Sequence, residues 1–238
     1  MLKANAVPDA EILASLPIFP LPNVVLLPGM VLPLNVFEPR YLELVDFVRE
    51  RGQHIGVPLL CPPDARVDGR PAFESVFGLG KLVFHVRLPD GRRIIRLEGV
   101  CRVRMQREHA TTHHFREVAV TPLPESRPND SHSVAVLRAQ VERIARYCGE
   151  DGESLVSLLS LDDPRVFLYT LTAFLPSLEL LVAGQGDPST DRSALVALQQ
   201  QSLAAADADA RVRFLIERTS GIVAGLGRQC VTPTSLLN

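Results

Sequence analysis

Six prolines fall within the stretch from Leu16 to Gly52, LPIFPLPNVVLLPGMVLPLNVFEPRYLELVDFVRERG, which is also the most apolar run of the chain. Proline fixes φ and has no backbone donor, so no long helix can pass through Pro17, Pro20, Pro22, Pro28 and Pro33. The apolar pieces at residues 24–27 and 31–34 therefore read as short strands, at sheet edges or around bulges, with a turn at Pro28-Gly29 between them. After Phe37 the period changes. Pro39 suits the first position of a helix, Tyr41, Leu44, Val45 and Val48 recur at helical spacing, and Gly52 stops the run. An arginine in the first turn opposes the helix dipole, so Arg40 calls for a carboxylate, and Glu43 is the local one.

The rest of the chain separates into a strand-rich and a helix-rich part. Residues 1–15 read as a loosely tied arm, residues 55–60 as a buried strand, and residues 62–71 as an exposed loop. Asp90-Gly91 lies between strand-like runs at 82–88 and 92–97, a hairpin signal. From Cys101 onward the period is two, with Cys101, Val103 and Met105 on one side and Arg102, Arg104 and Gln106 on the other. A further strand is expected at 115–121. PESRPND, from Pro124 to Asp130, reads as the boundary, giving one domain at 1–125 and another at 126–238. Beyond it, Val134, Leu137, Val141, Ile144 and Cys148 mark a helix capped by Ser131 or Ser133, with Glu142 and Arg146 paired on its wet face. A second helix starts at Asp163-Pro164 and should end before Pro176. A loop from Gly184 and one bent helix or two from Asp191 to about Thr219 complete this half, and Gly221, Gly225 and Gly227 read as a flexible tail.

Particular residues of the opening stretch carry a family resemblance. Pro20, Leu21, Val24, Val25, Leu26, Pro28 and Gly29, followed by Phe37, Glu38, Arg40 and Tyr41, resemble the opening of the Lon protease N-terminal domain. Leu88-Pro89-Asp90-Gly91-Arg92 and Leu97-Glu98-Gly99-Val100 resemble that family's hairpin and the strand after it. In the helical half, Asp163-Pro164, Leu175-Pro176, Gln200, Asp207 and Arg211 echo the family, while Gln199 and Ala204 depart from it and the loop from Gly184 to Asp191 looks inserted. The resemblance implies an α+β fold: a PUA-like, partly closed β-barrel with one internal helix, then an α-helical bundle. It also implies a module that binds polypeptide.

Catalytic and cofactor signatures are missing from the sequence. Gly78-Leu79-Gly80-Lys81 suggests phosphate, but Leu82 stands where a P-loop needs a hydroxyl. Full-length Lon proteases cut with a serine–lysine dyad on a separate domain, and this chain has only Lys3 and Lys81 and no G-x-S-x-G elbow. His109, His113 and His114 are the best metal candidates, yet a third ligand at metal spacing is lacking, so an exposed polar loop is expected. Cys61, Cys101, Cys148 and Cys230 form neither a zinc pattern nor a disulfide scaffold. Catalytic, cofactor-binding and metal residues are therefore all assigned as none.

The expected function is that of a stand-alone, non-catalytic polypeptide-binding module, an adaptor in protein quality control. Its partners would be unfolded segments, or a protease or chaperone. The start of the chain lacks a signal-peptide core, and no apolar run reaches the roughly 18 residues of a membrane span, so a cytoplasmic location is expected. Phe37, Glu38, Arg40 and Tyr41 are expected to lock the helix to the barrel. The alternative is an RNA-binding PUA-like module using the basic segment from Lys81 to Arg107. Against it, Arg92 and Arg93 fall on a different strand and face from Arg102 and Arg104, and aromatic side chains for stacking are few.

Overall fold

The computed structural model describes residues 8–183 and 192–229. The chain divides into two units, one ending at Pro124 and one beginning at Glu125. In the first, helix α1 (Ala10–Ala14) precedes strands β1 (Leu16–Ile18) and β2 (Val31–Val36), helix α2 (Pro39–Glu50) and strand β3 (His54–Val57). A small hairpin of β4 (Arg66–Val67) and β5 (Arg70–Pro71) leads to three longer strands, β6 (Val76–Arg87), β7 (Arg93–Glu108) and β8 (Arg116–Pro122). The main sheet runs β2-β7-β6-β3-β1-β8. Strand β7 is long enough to pair β2 along its first part and β8 along its last, so the sheet curls back on itself into a partly closed barrel.

Residues 24–27 form no strand, contrary to the sequence expectation. A strand would need a neighbour edge to edge, whereas this segment lies over the faces of β6 and β7. Leu26 and Leu27 are buried, and a Cβ on Gly78 would stand 2.0 Å from Leu26 O, one on Gly99 2.1 Å from Leu27 O. Glycine is what permits the approach. The crossing then ties into the ladder: Gly29 N donates to Gly99 O and Gly99 N to Met30 O, both at 2.8 Å.

Helix α2 buries Tyr41, Leu44, Val45 and Val48, the face its spacing predicts, with Pro39 in its first turn. Tyr41 stacks on Phe19 at 3.9 Å between ring centres, and the helix packs into a core with Val36, Leu82, Ile95 and Leu97. A second core gathers Leu16, Ile18, Phe77, Leu79, Val103 and Val118. Three local expectations change. The described part of the supposed arm is helix α1, the loop at 62–71 contains the β4–β5 hairpin, and Leu59 and Leu60 form only isolated bridges, to Leu21 and Phe73.

The second unit holds α3 (Ser131–Cys148), a 3-10 turn (Gly149–Gly152), α4 (Glu153–Leu159), α5 (Pro164–Ala183), α6 (Arg192–Ala204) and α7 (Ala208–Gln229). Leu137, Val141, Ile144, Phe167, Leu171 and Leu215 are fully buried in its core. The α3 cap is Asp130 rather than either serine, its Oδ1 accepting from His132 N at 3.0 Å and Ser133 N at 3.2 Å. Glu142 and Arg146 pair at 2.5 Å. Helix α5 runs through Pro176 instead of ending there. A proline in a helix leaves carbonyls of the preceding turn without a donor. Gln199 Nε2 supplies one, to Ala173 O at 3.2 Å and Thr172 O at 3.5 Å. Gly221, Gly225 and Gly227 lie inside α7 rather than in a tail, and the loop from Gly184 to Asp191 lies outside the described residues.

The glycine contacts give opposite expectations at two kinds of site. Gly78→Ala and Gly99→Ala each press a methyl onto a fixed carbonyl and should destabilise by about 1–3 kcal/mol or more. Gly221 is helical with open space where a Cβ would stand, so Gly221→Ala should stabilise by roughly 0.5–1 kcal/mol. Urea unfolding followed by circular dichroism reads both.

Candidate functional site

The registers of β2, β7 and β6 arrange side chains in rows. Leu32–Leu97–Leu82, Leu34–Ile95–His85 and Val36–Arg93–Arg87 are on the core side. Val31–Glu98–Lys81, Pro33–Arg96–Phe84 and Asn35–Ile94–Val86 are on the outer side. A bulge sets this arrangement. Leu82 pairs Leu97 and Phe84 pairs Arg96, so Val83 is an extra residue that reverses the alternation of β6. Leu82 therefore points in while Phe84 and Val86, two and four residues on, point out, each 40% exposed, with Val31 at 56% and Val83 at 48%. Val83, Phe84 and Val86 thus form an exposed apolar cluster on β6, and Val31 stands apart from it across β7.

The free edge of this face is closed to strand addition at its centre. Gly99 N bonds Met30 O, so Val31–Glu98 is a non-hydrogen-bonded pair, and Pro33–Arg96, two residues on, is another. The backbone nitrogen of Pro33 thus faces outward from the sheet edge, and it carries no hydrogen. Charges differ between the two sides of the strands. On the core side Arg93 is buried and pairs with Asp46 of α2, its Nη2 at 2.5 Å from Oδ2. On the outer side the Arg96 guanidinium lies 4.8 Å from the centre of the Phe84 ring. Neither Arg96 nor Lys81 makes an ion pair with any described residue.

The motif residues Glu38, Arg40 and Tyr41 line a separate cleft of about 390 Å³, together with Leu21, Leu60 and Phe115. Arg40 pairs with Glu38 at 2.7 Å and lies over the Tyr41 ring, rather than pairing with Glu43. Phe37 is 64% exposed, so of the four motif residues expected to lock helix to barrel only Tyr41 is buried in the core. Glu43 instead holds the histidine loop: His113 Nδ1 is 3.0 Å and His114 Nδ1 2.5 Å from its two oxygens. The bond to His114, backed by that to His113, holds the Glu43 carboxyl below its ordinary range. His113 also stacks on Phe115, so His113 and His114 brace the β7–β8 connection against α2, while His109 Nε2 meets Ala14 O of α1 at 2.7 Å. No group of three His, Cys, Asp or Glu among the described residues is placed to hold a metal ion.

The other sequence candidates are dispersed. Gly78 and Gly80 make room for Leu26 and do not form a phosphate loop. Arg92 pairs with Asp90 at 2.7 Å at the hairpin tip. Arg102, expected on one side with Arg104 and Gln106, is only 1% exposed and donates to Pro124 O at 3.3 Å. Arg93, Arg102 and Arg104 lie on the one strand β7, not on different strands as expected, yet Arg92, Arg93, Arg102 and Arg104 share no single surface. In the second unit Gln200 and Arg211 are buried, Arg211 Nε donating to Ser202 O at 3.0 Å, and Asp207 receives Ala210 N at 2.7 Å at the start of α7. The bulge-set outer face was missed in the sequence, because nothing in the residue pattern announces a bulge at Val83.

Three comparisons place this geometry among known proteins. The family model of the ATP-dependent protease La (LON) substrate-binding domain matches residues 15–179. The Lon protease of Desulfovibrio desulfuricans is 30% identical over 165 residues, covering 68% of this chain and 17% of that protease. Lon protease 2 of Sorangium cellulosum is 34% identical over 128 residues, or 52% of this chain and 15% of that one. The chain thus spans about a sixth of the length of these relatives at their matched region. Among solved structures, the N-terminal domain of Mycobacterium avium complex Lon protease shares the fold, with a TM-score of 0.61 at 19% identity over 87% of this chain and 98% of that one.

The ion pairs beneath the outer face give a pH dependence with a definite sign. The hydrogen bond from Arg93 holds the Asp46 carboxyl below its ordinary range. A lowered folded-state value contributes stability that is complete above the unfolded value, near pH 4, and fades as the pH falls through the folded one. Asp46→Asn should lower the urea midpoint at pH 7, and its gap to the parent should narrow below about pH 4. Unfolding curves across that range check it.

Proposed function

The chain belongs to the Lon substrate-binding domain family, and from that premise we propose that it is a polypeptide-binding module whose docking surface is the outer face of β2, β7 and β6. The observation that carries this is the exposed set Val83, Phe84 and Val86 on β6, with Val31 exposed on β2 across β7. Apolar side chains left in water gain on being covered, by about 1.5–3 kcal/mol for a whole side chain and proportionately less where half is already buried. Several together give modest, sequence-tolerant affinity, the property a surface for unfolded segments needs. The outward nitrogen of Pro33 favours side-chain contact over backbone pairing at the β2 edge.

The same reading takes the module as non-catalytic. Ser15 Oγ donates to Glu117 Oε2 at 2.6 Å rather than to a histidine, and His113 Nδ1 is turned toward Glu43. No helix of the described residues is long and apolar enough to cross a membrane. A cytoplasmic adaptor that presents polypeptide to a protease or chaperone is the finer form of the proposal. The scatter of Arg93 and Arg102 into buried positions weighs against the RNA alternative.

The test uses fluorescein-labelled, reduced and carboxymethylated casein as the unfolded probe, titrated with the full chain and read by fluorescence anisotropy. The double variant Phe84→Ser/Val86→Ser should bind at least about 10-fold more weakly, since each 1.4 kcal/mol is tenfold, with circular dichroism and melting unchanged. Undiminished binding by that variant refutes the surface. Absence of binding by the parent refutes the function.

A further inference from the structure

Resting on that reading, we infer that the outer face selects apolar segments that carry carboxylates. The anchor is the pairing of Arg96 with Phe84. The guanidinium lies over the exposed ring, so any segment that covers Phe84 must also draw water away from Arg96. A cation stripped of water without a counter-charge is costly, and Arg96 has no carboxylate partner among the described residues. Its row neighbours are Pro33 and Phe84, neither of which can accept a hydrogen bond from its side chain. A purely apolar segment leaves that cost standing, a basic one adds repulsion, and a segment with an aspartate or glutamate offsets it with a charge-assisted bond.

Lys81 widens the preference. It stands on the next outer row and the next strand, so the two cations root about 8 Å apart, given ~6.8 Å between alternate residues along a strand and ~4.8 Å between strands. Carboxylates two residues apart on an extended chain are separated by about the same interval, ~6.8 Å. Glu98 lies beside Lys81 in its row and two residues from Arg96 on the same face of β7, so it lowers the net charge near both. It forms an ion pair with neither, and the stacking of Arg96 on Phe84 makes Arg96 the principal determinant. A nucleic-acid strand fits less well. It would need a cation near each phosphate and open aromatic rings, and the face offers two cations and one ring already covered by Arg96.

Three fluorescein-labelled peptides with one apolar sequence, bearing paired glutamates, serines or lysines at the same positions, separate the possibilities. With the full chain at about 25 mM salt, the glutamate peptide should bind about 10-fold tighter than the lysine peptide, and the gap should shrink at about 250 mM. Arg96→Gln should reduce the gap to no more than about 3-fold, and Arg96→Lys, which keeps the charge, should restore most of it. Equal affinities for the three peptides, or a preference that survives Arg96→Gln, overturn the inference while leaving casein binding intact. Failure of the serine peptide and casein alike sinks the underlying docking surface as well. Arg96-dependent binding of a uridine oligonucleotide, with no preference among the peptides, overturns it in favour of a polyanion surface.

Discussion

The carbonyls of Leu26 and Leu27 press onto β6 and β7 at Gly78 and Gly99, and the geometry of the first unit follows from that crossing. It plugs the inside of the curled sheet with two buried leucines. It delivers Gly29, at a φ of 79° open to glycine, to the hydrogen bonds with Gly99. Those bonds start β2 alongside β7 and fix its register, which in turn decides that Leu32, Leu34 and Val36 point inward and Val31, Pro33 and Asn35 outward. The prolines on either side of the crossing keep it out of the ladder, because neither Pro22 nor Pro28 can donate to a neighbour.

The two sides of β7 show how one strand serves stability and recognition together. Arg93 and Arg96 are three residues apart and lie on opposite sides. The inward arginine is fixed by Asp46 and attaches α2 to the sheet, while the outward one rests on an aromatic ring without a counter-ion. Burial with a partner ties an element down; exposure without one leaves an interaction to be completed by something else. The same division explains why a locally basic segment does not make a basic surface.

What could be read from the sequence was whatever a short-range period encodes. Helix α2 was legible because Tyr41, Leu44, Val45 and Val48 repeat at helical spacing, and the β6–β7 hairpin because Asp90-Gly91 separates two strand-like runs. Residues 24–27 were not, since an apolar run looks the same whether it joins a ladder or crosses over one. Pro176 misled because its remedy, the side chain of Gln199, comes from another helix. The outer face was hidden for a stronger reason. Leu82, Phe84 and Val86 alternate as a single buried side should, and only the register with β7 shows that Val83 reverses the phase. Arg40 and Glu43 likewise did not take each other: Arg40 pairs with Glu38, two residues before it, and Glu43 with the histidines of the β7–β8 connection.

An exposed apolar sheet face beside a free edge carries the danger of pairing with its own kind. Here three features oppose it. Pro33 removes a donor from the middle of the edge, the Val83 bulge increases the local twist, and Arg96 and Lys81 put like charges where a second copy would lie. Those features act against a strand with the same sequence and against a cationic one, but not against a segment that brings carboxylates to the face and leaves the edge alone. The cations that oppose self-pairing are therefore the ones that favour a carboxylate-bearing segment.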